Sequence, residues 1–386
     1  MTRLWSSVCI LGATFTWLGA LQVIEPFERM NAAMDQAFGA LPPWTQVKNM
    51  FQDRQTQEIT RGESPLDSFH ILARAWAAYP HAERMVLMGN SQSLMTSLAP
   101  GERPSSEPEK TYTDLIADSY QHRGAIKPFY RLAAGALSYE EMLWYAAYLA
   151  CRPEIKPAIV LVQLNYQNFM NAGIRAGMLE LLSDGTFRSI VQQMAAGHAA
   201  DSDTFVQALA QYDKPQHASI DTPDNPRAYE LETTLRQQLD RIPTFGRRFE
   251  MRASFETMLI RFRTYLLHLG SARRRSLGGS RVARSRAALE QLADLCGRSG
   301  IRLILFHAPS NPAVPLYGTA EDDRSYHDFA NSLAARYSVT VLDFEHSIPA
   351  GEWGMSLNFP DPLHLGRQGH KRLARLMLAA FAEQGI

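Results

Sequence analysis

Five short apolar runs, each bounded by small polar or turn-forming residues, predict five buried β-strands. They cover residues 84–88, 128–134, 158–165, 301–306 and 339–344. Runs that are apolar at consecutive positions are typical of parallel strands covered by helices on both faces. Segments with helical spacing alternate with these runs, and one of them starts at Ser138 and Glu141, which fit a capping box. The pattern predicts an α/β fold in which a mainly parallel sheet is sandwiched between helices.

The strand pattern is interrupted between residues 172 and 280. Helical stretches at 230–239 and 250–269 replace it, and the basic sequence SARRRSLGGSRVARSR follows at 271–286. We therefore predict a helical insertion at 172–280 within a domain that spans 81–386. A charge run of this kind is usually a solvated loop, and contact with anionic lipid headgroups or an acidic polymer is the alternative.

The amino terminus carries the longest uncharged segment of the chain. Residues 4–24 contain no charged side chain, and this length suffices for a helix to cross a bilayer core. Arg3 precedes the segment, and Glu25 and Glu28 follow it, an order that favours a cytoplasmic amino terminus. We expect a transmembrane anchor at 4–24, a juxtamembrane connector at 25–80 and the large domain on the far side. A buried core helix at 4–24 is the alternative.

The composition argues against several classes of protein. The 386 residues are 46% hydrophobic, with 39 basic and 39 acidic side chains, so the basic excess of a typical nucleic-acid-binding protein is missing. The three cysteines, Cys9, Cys151 and Cys296, do not have metal-ligand spacing. We expect Cys151 and Cys296 to be buried free thiols; a disulfide between them is the alternative if the domain is exported. We expect neither a metal nor a cofactor.

Residues with catalytic potential stand where the predicted strands end. Ser91 follows the first run, Gly135 follows the second and Asn165 ends the third, while Asp361 and His364 precede the final helix. In open parallel sheets, functional groups gather outside the carboxyl ends of the strands. Together these residues provide a nucleophile, oxyanion donors, a general base and an acid that orients the base.

Four sequence blocks resemble the SGNH, or GDSL-like, superfamily of hydrolases and acyltransferases, and they occur in that family's order. The blocks are GNSQS, AAGALSYEE, QLNYQ and DPLHLGRQGH, within residues 84–165 and 300–384. The resemblance implies that Ser91 is the nucleophile, His364 the base and Asp361 the residue that orients the base. It also implies an oxyanion hole made by the backbone amide of Ser91 with Gly135 and Asn165. We expect Asp361 and His364 to share a short loop before the last helix.

Several positions depart from the family pattern. Asn90 stands where the family usually has Asp, Gln163 where it usually has Gly, and Tyr166 where an acidic residue closely follows the asparagine. These replacements bear on the oxyanion geometry and leave the serine, histidine and aspartate in place. Ser93 is the alternative nucleophile, and His307, at a strand end, is the best further candidate for a substrate contact.

The resemblance also implies a function. The anchor and the helical insertion resemble SGNH-like proteins that acylate cell-envelope polymers alongside a multi-spanning membrane-bound O-acyltransferase. We therefore expect a single-pass protein of the bacterial inner (cytoplasmic) membrane whose periplasmic domain is a serine O-acyltransferase. Its acceptor would be an envelope or exported polysaccharide, reached through an acyl-serine intermediate. The alternatives are an acyl esterase or deacetylase of the same class, and a non-catalytic SGNH-like scaffold that docks such a membrane partner.

Overall fold

A computed structural model describes most of the 81–386 region and a few residues before it. The described residues are 69, 72–73, 76–77, 82–94, 96–97, 99–100, 110–122, 127–133, 137–196, 204–212, 277–314, 318–356 and 359–386. The predicted anchor at 4–24, most of the predicted connector and Gly135 lie outside this set. Among the residues that are described, no helix combines the length and the apolar character needed to cross a membrane.

Five parallel strands form one sheet in the order β2-β1-β3-β4-β5. They are β1 (Met85–Gly89), β2 (Phe129–Ala133), β3 (Ile159–Leu164), β4 (Arg302–His307) and β5 (Thr340–Asp343). Each coincides with one of the five apolar runs, which confirms the predicted mainly parallel sheet. Every residue of β1 and β3 is buried, as expected for central strands that are covered on both faces.

Seven helices accompany this sheet in the described part of the chain. They are α1 (Tyr112–His122), α2 (Tyr139–Ala150), α3 (Gly185–Ala196), α4 (Thr204–Tyr212), α5 (Ser280–Arg298), α6 (Ala320–Tyr337) and α7 (Arg367–Glu383). Helix α2 begins with the predicted capping box, because Ser138 Oγ accepts a hydrogen bond from the Glu141 amide while the Glu141 carboxylate accepts one from the Ser138 amide.

The two faces of the sheet support separate hydrophobic cores, since successive side chains of a strand point in opposite directions. Val86 and Met88 of β1 face a core shared with α2, α5 and α6. Met85 and Leu87 face a second core shared with α1 and α7. The protein is therefore a three-layer α/β structure, as the pattern of runs predicted.

The segment before α7 differs from the predicted loop. It contains an antiparallel pair of strands, β6 (Trp353–Ser356) and β7 (Phe359–Leu365), and Asp361 and His364 both lie on β7. The pairing is irregular: Met355 pairs with Pro360 and Trp353 with Leu365, so residues 361–364 are additional residues on the β7 side. An irregularity of this kind re-aims side chains next to a site.

The described part of the 172–280 region contains helices and no strand. A 3-10 helix at Ala176–Ser183 precedes α3 and α4, and α5 begins at Ser280. The bounds of the predicted insertion stay a prediction, because residues 213–276 lie outside the described set. Cys296 is buried and Cys151 partly buried, and both are free thiols. Burial raises the pKa of Cys296 to about 12 and that of Cys151 to about 11, so both stay protonated at neutral pH.

Candidate active site

The strand order of the sheet reverses direction between β1 and β3. From β1 the chain continues to β2 on one side, and from β3 it continues to β4 and β5 on the other. In open parallel sheets, the crevice outside the carboxyl ends of two such strands is the usual place for a binding site. Ser91 follows β1 and Asn165 follows β3, so both residues flank this crevice.

Three of the predicted site residues form a continuous hydrogen-bonded chain. His364 Nε2 lies 3.0 Å from Ser91 Oγ, and His364 Nδ1 lies 3.0 Å from Asp361 Oδ2. The serine and the histidine are partly exposed, so a small molecule can reach them. A serine whose hydroxyl contacts an imidazole that a carboxylate orients is the arrangement that activates the serine as a nucleophile.

The carboxylate of Asp361 is held in its ionised form. Burial by itself would raise its pKa, but the charge of His364 and the hydrogen bonds it accepts outweigh that effect, and the pKa falls below its usual value of 3.8. Besides the His364 ring, the donors are the backbone amides of Leu363 and His364, which both reach Oδ1. Because the two amides occupy Oδ1, Oδ2 is left for the imidazole. A carboxylate oxygen accepts hydrogen bonds, so Nδ1 of His364 is the nitrogen that carries the proton.

The position of Asp361 depends on a residue that the sequence did not single out. Asn311, which is 1% exposed, donates a hydrogen bond from Nδ2 to the backbone carbonyl of Asp361 at 2.8 Å. The irregular part of β7 is therefore attached to the loop that follows β4. No signal in the sequence marks Asn311, because its partner is a backbone atom 50 residues away.

Ser91 opens a 3-10 helix, Ser91–Ser93, that is capped by the residue before it. Asn90 Oδ1 accepts a hydrogen bond from the Gln92 amide at 3.0 Å, and Asn90 Nδ2 donates one to Asn168 Oδ1 at 3.2 Å. An aspartate at this position would keep the cap but lose that donor, which gives a physical reason for the departure at Asn90. Because Ser91 starts the helix, its amide has no partner within that helix and is available to an oxyanion.

Gln163 supports this turn from the neighbouring strand. It is fully buried, and its Oε1 accepts hydrogen bonds from the Asn90 amide and from Ser93 Oγ, both at 2.9 Å. Its Nε2 donates to Gln92 Oε1 at 2.6 Å. The sequence marked Gln163 in two ways, as a polar residue in a mainly apolar run and as a departure from the glycine of the family pattern. Gln163 therefore fills the space that a glycine would leave and holds the turn in place.

Ser93 does not have the environment of a nucleophile. Its side chain is fully buried, and its hydroxyl contacts Tyr112 Oη at 2.7 Å as well as Gln163 Oε1. Neither partner is a base at neutral pH, since burial raises the pKa of Tyr112 far above its usual value. The structure therefore distinguishes the two serines by their contacts: Ser91 meets the imidazole and Ser93 meets the structural network.

Asn165 lies beside the crevice and is 4% exposed. Its Oδ1 accepts a hydrogen bond from the Gln167 amide at 2.9 Å, and its backbone exchanges hydrogen bonds with the hydroxyl of Tyr139. With Oδ1 occupied, the Nδ2 group is the part of the side chain that can donate to an oxyanion. Gly135, the third predicted donor, lies outside the described residues.

A buried arginine, Arg131, contacts the nucleophile turn, which is the segment 90–93 that carries Ser91. Arg131 on β2 is 6% exposed, and its Nη1 donates to the Ser93 carbonyl at 3.2 Å and to Asp114 Oδ1 at 3.0 Å. Burial lowers the pKa of Arg131 to about 10 and raises that of Asp114 above its usual value. No sequence signal marks Arg131 as a residue that supports the site.

His307 does not act as the substrate contact that the sequence predicted. Its side chain is 2% exposed and its ring packs edge-on against Tyr326, with centroids 4.7 Å apart. Desolvation, with the nearby charge of His327, lowers the pKa of His307 to about 4, so the ring is neutral at ordinary pH. His307 does end a strand, as predicted, but its side chain is buried and is not exposed at the surface of the crevice.

Fold and site together define a three-layer α/β protein with a Ser–His–Asp constellation at the carboxyl edge of its sheet. No protein-family model and no curated protein matches the chain. Among solved structures, it is similar to a psychrotrophic esterase from Pseudoalteromonas sp., with 9% identity over 78% of this chain and 98% of the esterase and a TM-score of 0.38.

Two further solved structures show the same level of similarity. A GDSL-like lipase from Bacteroides thetaiotaomicron has 9% identity over 81% of this chain and 98% of the lipase, with a TM-score of 0.34. An acetylxylan esterase from Geobacillus stearothermophilus has 11% identity over 77% of this chain and 93% of the esterase, with a TM-score of 0.35. Sequence identities of 9–11% and TM-scores of 0.34–0.38 do not identify a function. The function of this chain therefore has to be inferred from the geometry of its own site.

Proposed function

We propose that the protein is a serine-dependent acyl-transfer enzyme that works through an acyl-serine intermediate. The observation that carries this proposal is the chain of two 3.0 Å contacts from Ser91 Oγ through His364 to Asp361. The imidazole would take the serine proton as the hydroxyl attacks an ester carbonyl, and it would return that proton to the leaving alkoxide. A second acceptor, activated by the same imidazole, would then release the acyl group.

The oxyanion of the tetrahedral intermediate would meet the Ser91 amide and the Asn165 side chain. Preorganised donors of this kind each typically contribute about 3–4 kcal/mol to transition-state stabilisation. The hydrogen bond between Asn90 and Asn168 connects the turn after β1 to the 3-10 helix Tyr166–Met170 after β3, and would thereby hold the two donors in position relative to each other. Gly135 is proposed as a third donor on the strength of the resemblance alone.

Labelling with a fluorophosphonate tests the proposal directly. The reagent forms a bond from phosphorus to an activated serine oxygen and releases fluoride, so wild-type protein should be labelled at Ser91 in a peptide map. Ser91→Ala should abolish the label, whereas Ser183→Ala, which changes an exposed serine on the surface, should keep it. A folded wild-type protein that stays unlabelled would contradict catalysis and would favour the scaffold alternative.

The identity of the acceptor is a separate part of the proposal. An esterase passes the acyl group to water, and an O-acyltransferase passes it to a hydroxyl group, while the acyl-serine is common to both. We favour a saccharide hydroxyl as the acceptor, as the resemblance implies. Hydrolysis of an aryl acetate should then be accompanied by acetylated oligosaccharide when an acceptor is added, measured by mass spectrometry. Steady hydrolysis without any acylated saccharide would establish the esterase alternative.

The proposed setting is the periplasmic face of the bacterial inner membrane, with residues 4–24 as the anchor and a multi-spanning O-acyltransferase as the partner. Support comes from the uncharged 4–24 segment and the resemblance of the four blocks. Deleting residues 2–24 should release the protein from the membrane fraction, and crosslinking in cells should recover a multi-spanning protein. If the deleted form stays membrane-bound at high salt, the anchor is misplaced.

A further inference from the structure

Three side chains of metal-ligating type, two on α6 and one two residues after β5, meet apart from the serine and its partners. Asp323 and His327 stand one turn apart on α6 and therefore on one face of it. His327 Nε2 lies 3.4 Å from Asp323 Oδ1 and 2.8 Å from Glu345 Oε2. One potential ligand atom from each of the three residues falls within 4.8 Å of the others. The imidazole nitrogen thus lies between two carboxylates.

A fourth group beside this cluster has an unmet hydrogen-bonding atom. The ring of His307 is 2% exposed, and its centroid lies 4.5 Å from that of His327. Its Nδ1 is buried and has no hydrogen-bond partner among the described residues. Because buried polar atoms are rarely left unpaired, this nitrogen requires a partner that the described protein atoms do not supply. A water bound to an ion that the three residues hold would be such a partner.

The donor set suits a divalent transition-metal ion. One imidazole nitrogen and two carboxylate oxygens are common ligands of Zn²⁺, and the two negative charges match the ion's charge. Tetrahedral bonds of about 2.0–2.2 Å place ligand atoms roughly 3.3–3.6 Å apart. The 3.4 Å between His327 and Asp323 already fits this range, and the 2.8 Å between His327 and Glu345 has to lengthen by about 0.5 Å. We propose that Asp323, His327 and Glu345 bind such an ion, and that His307 Nδ1 pairs with a water bound to that ion.

The ion would be structural, because it would tie α6 to the segment after β5 and, through it, to the candidate active site. The Ser310 amide donates to the Glu345 carbonyl at 2.9 Å, and the next residue, Asn311, holds the carbonyl of Asp361 at 2.8 Å. Fixing Glu345 therefore fixes the loop that positions Asp361. The proposal does not depend on the acyl-transfer function, since the ligands exist whether or not Ser91 reacts.

Calorimetric titration of the chelator-stripped full-length protein with Zn²⁺ tests the site. We expect one ion per chain, and a rise in the midpoint of thermal unfolding of about 4 °C when free Zn²⁺ is about a hundred times the Kd. Co²⁺ should give the visible absorption of a tetrahedral complex. Mg²⁺ and Ca²⁺ should not substitute, because they prefer all-oxygen sites with more ligands. Equal binding of Mg²⁺ or Ca²⁺ would overturn the assignment.

Matched variants separate this site from adventitious binding by other histidines. His327→Ala and Asp323→Asn change partly exposed positions on α6 and should lower Zn²⁺ affinity at least tenfold. His346→Ala and Asp328→Asn change exposed neighbours of the same types and should leave it unchanged. Circular dichroism of each variant verifies folding. If Zn²⁺ binds folded His327→Ala with the wild-type affinity and stoichiometry, the proposal is wrong.

Discussion

Replacing Gly89 with alanine would place a methyl group where the nucleophile turn leaves no room. A Cβ at this position would lie 2.2 Å from Ser93 Oγ and 2.7 Å from Gln163 Oε1. These two atoms are hydrogen-bonded to each other at 2.9 Å and are fully buried, so neither can move away freely. The strand end itself, and Ser91 two residues later, would have to shift.

The cost of Gly89→Ala follows from these contacts. Overpacking a tight interior costs about 1–3 kcal/mol, and a lost internal hydrogen bond adds about 1 kcal/mol. We expect the free energy of unfolding to fall by about 2–4 kcal/mol. A displacement of about 1 Å in a reacting group can cost about a hundredfold in rate, so fluorophosphonate labelling of Ser91 should slow by roughly that factor.

Urea unfolding and the labelling rate measure the two effects of Gly89→Ala separately. Gly297→Ala is the matched control, because Gly297 lies on α5, is exposed and would place its Cβ in open space. That change should raise stability by about 0.5–1 kcal/mol and leave labelling unchanged. Adding Ser93→Ala to Gly89→Ala should cost less than Ser93→Ala alone, because it removes the nearest clashing atom. A Gly89→Ala protein with wild-type stability and labelling rate would refute the reasoning.

Three further expectations concern charged or titrating groups. Asp361→Asn should keep the fold but lower the labelling rate by about 10⁴-fold, because the amide favours the wrong tautomer of His364; a loss below tenfold would contradict the assigned role. Arg131→Met should lower the free energy of unfolding in urea by about 1–3 kcal/mol, because it removes a donor to the buried Ser93 carbonyl and the ion-pair partner of Asp114, whose side chain is 36% exposed. Adding Asp114→Asn should recover part of that loss, and no recovery would contradict the coupling. His307 has a pKa of about 4 in the fold, below the ordinary 6.5, so the unfolded chain binds more protons between these values. Stability should therefore fall by up to about 3 kcal/mol as the pH falls from 6.5 to 4, and His307→Phe should remove that part of the pH dependence; identical slopes for the two proteins would contradict it.

The elements of the sheet were predictable because their signals are local. Each of β1 to β5 coincides with a mainly apolar run, and β1 and β3 are buried at every residue, as such runs predict. The capping box at Ser138 is equally local, since its two hydrogen bonds join residues three apart. The hairpin of β6 and β7 had no such signal: Pro360 and Pro362 argue against a strand, and the pairing exists only through its irregular register.

The polar network around the site was only partly predictable. Gln163 stood out as a polar residue in an apolar run, but its three hydrogen bonds to the turn after β1 join residues that are 70 to 73 positions apart in the chain. The sequence did not indicate that Arg131 and Asn311 support the site, because the residue type alone does not show whether a polar side chain is exposed to solvent or bonded to a loop. Burial of a polar group depends on partners that the fold brings to it.

The sequence by itself determined which residue types stand at the strand ends: a serine after β1, an asparagine after β3, and an aspartate three residues before a histidine near the end of the chain. Tertiary structure alone decided that Ser91 and His364, 273 residues apart, come within 3.0 Å, and that Ser93 does not. The physical reason is that hydrophobic periodicity specifies which side of an element is buried. The distance between two side chains depends on the register and packing of all the elements between them.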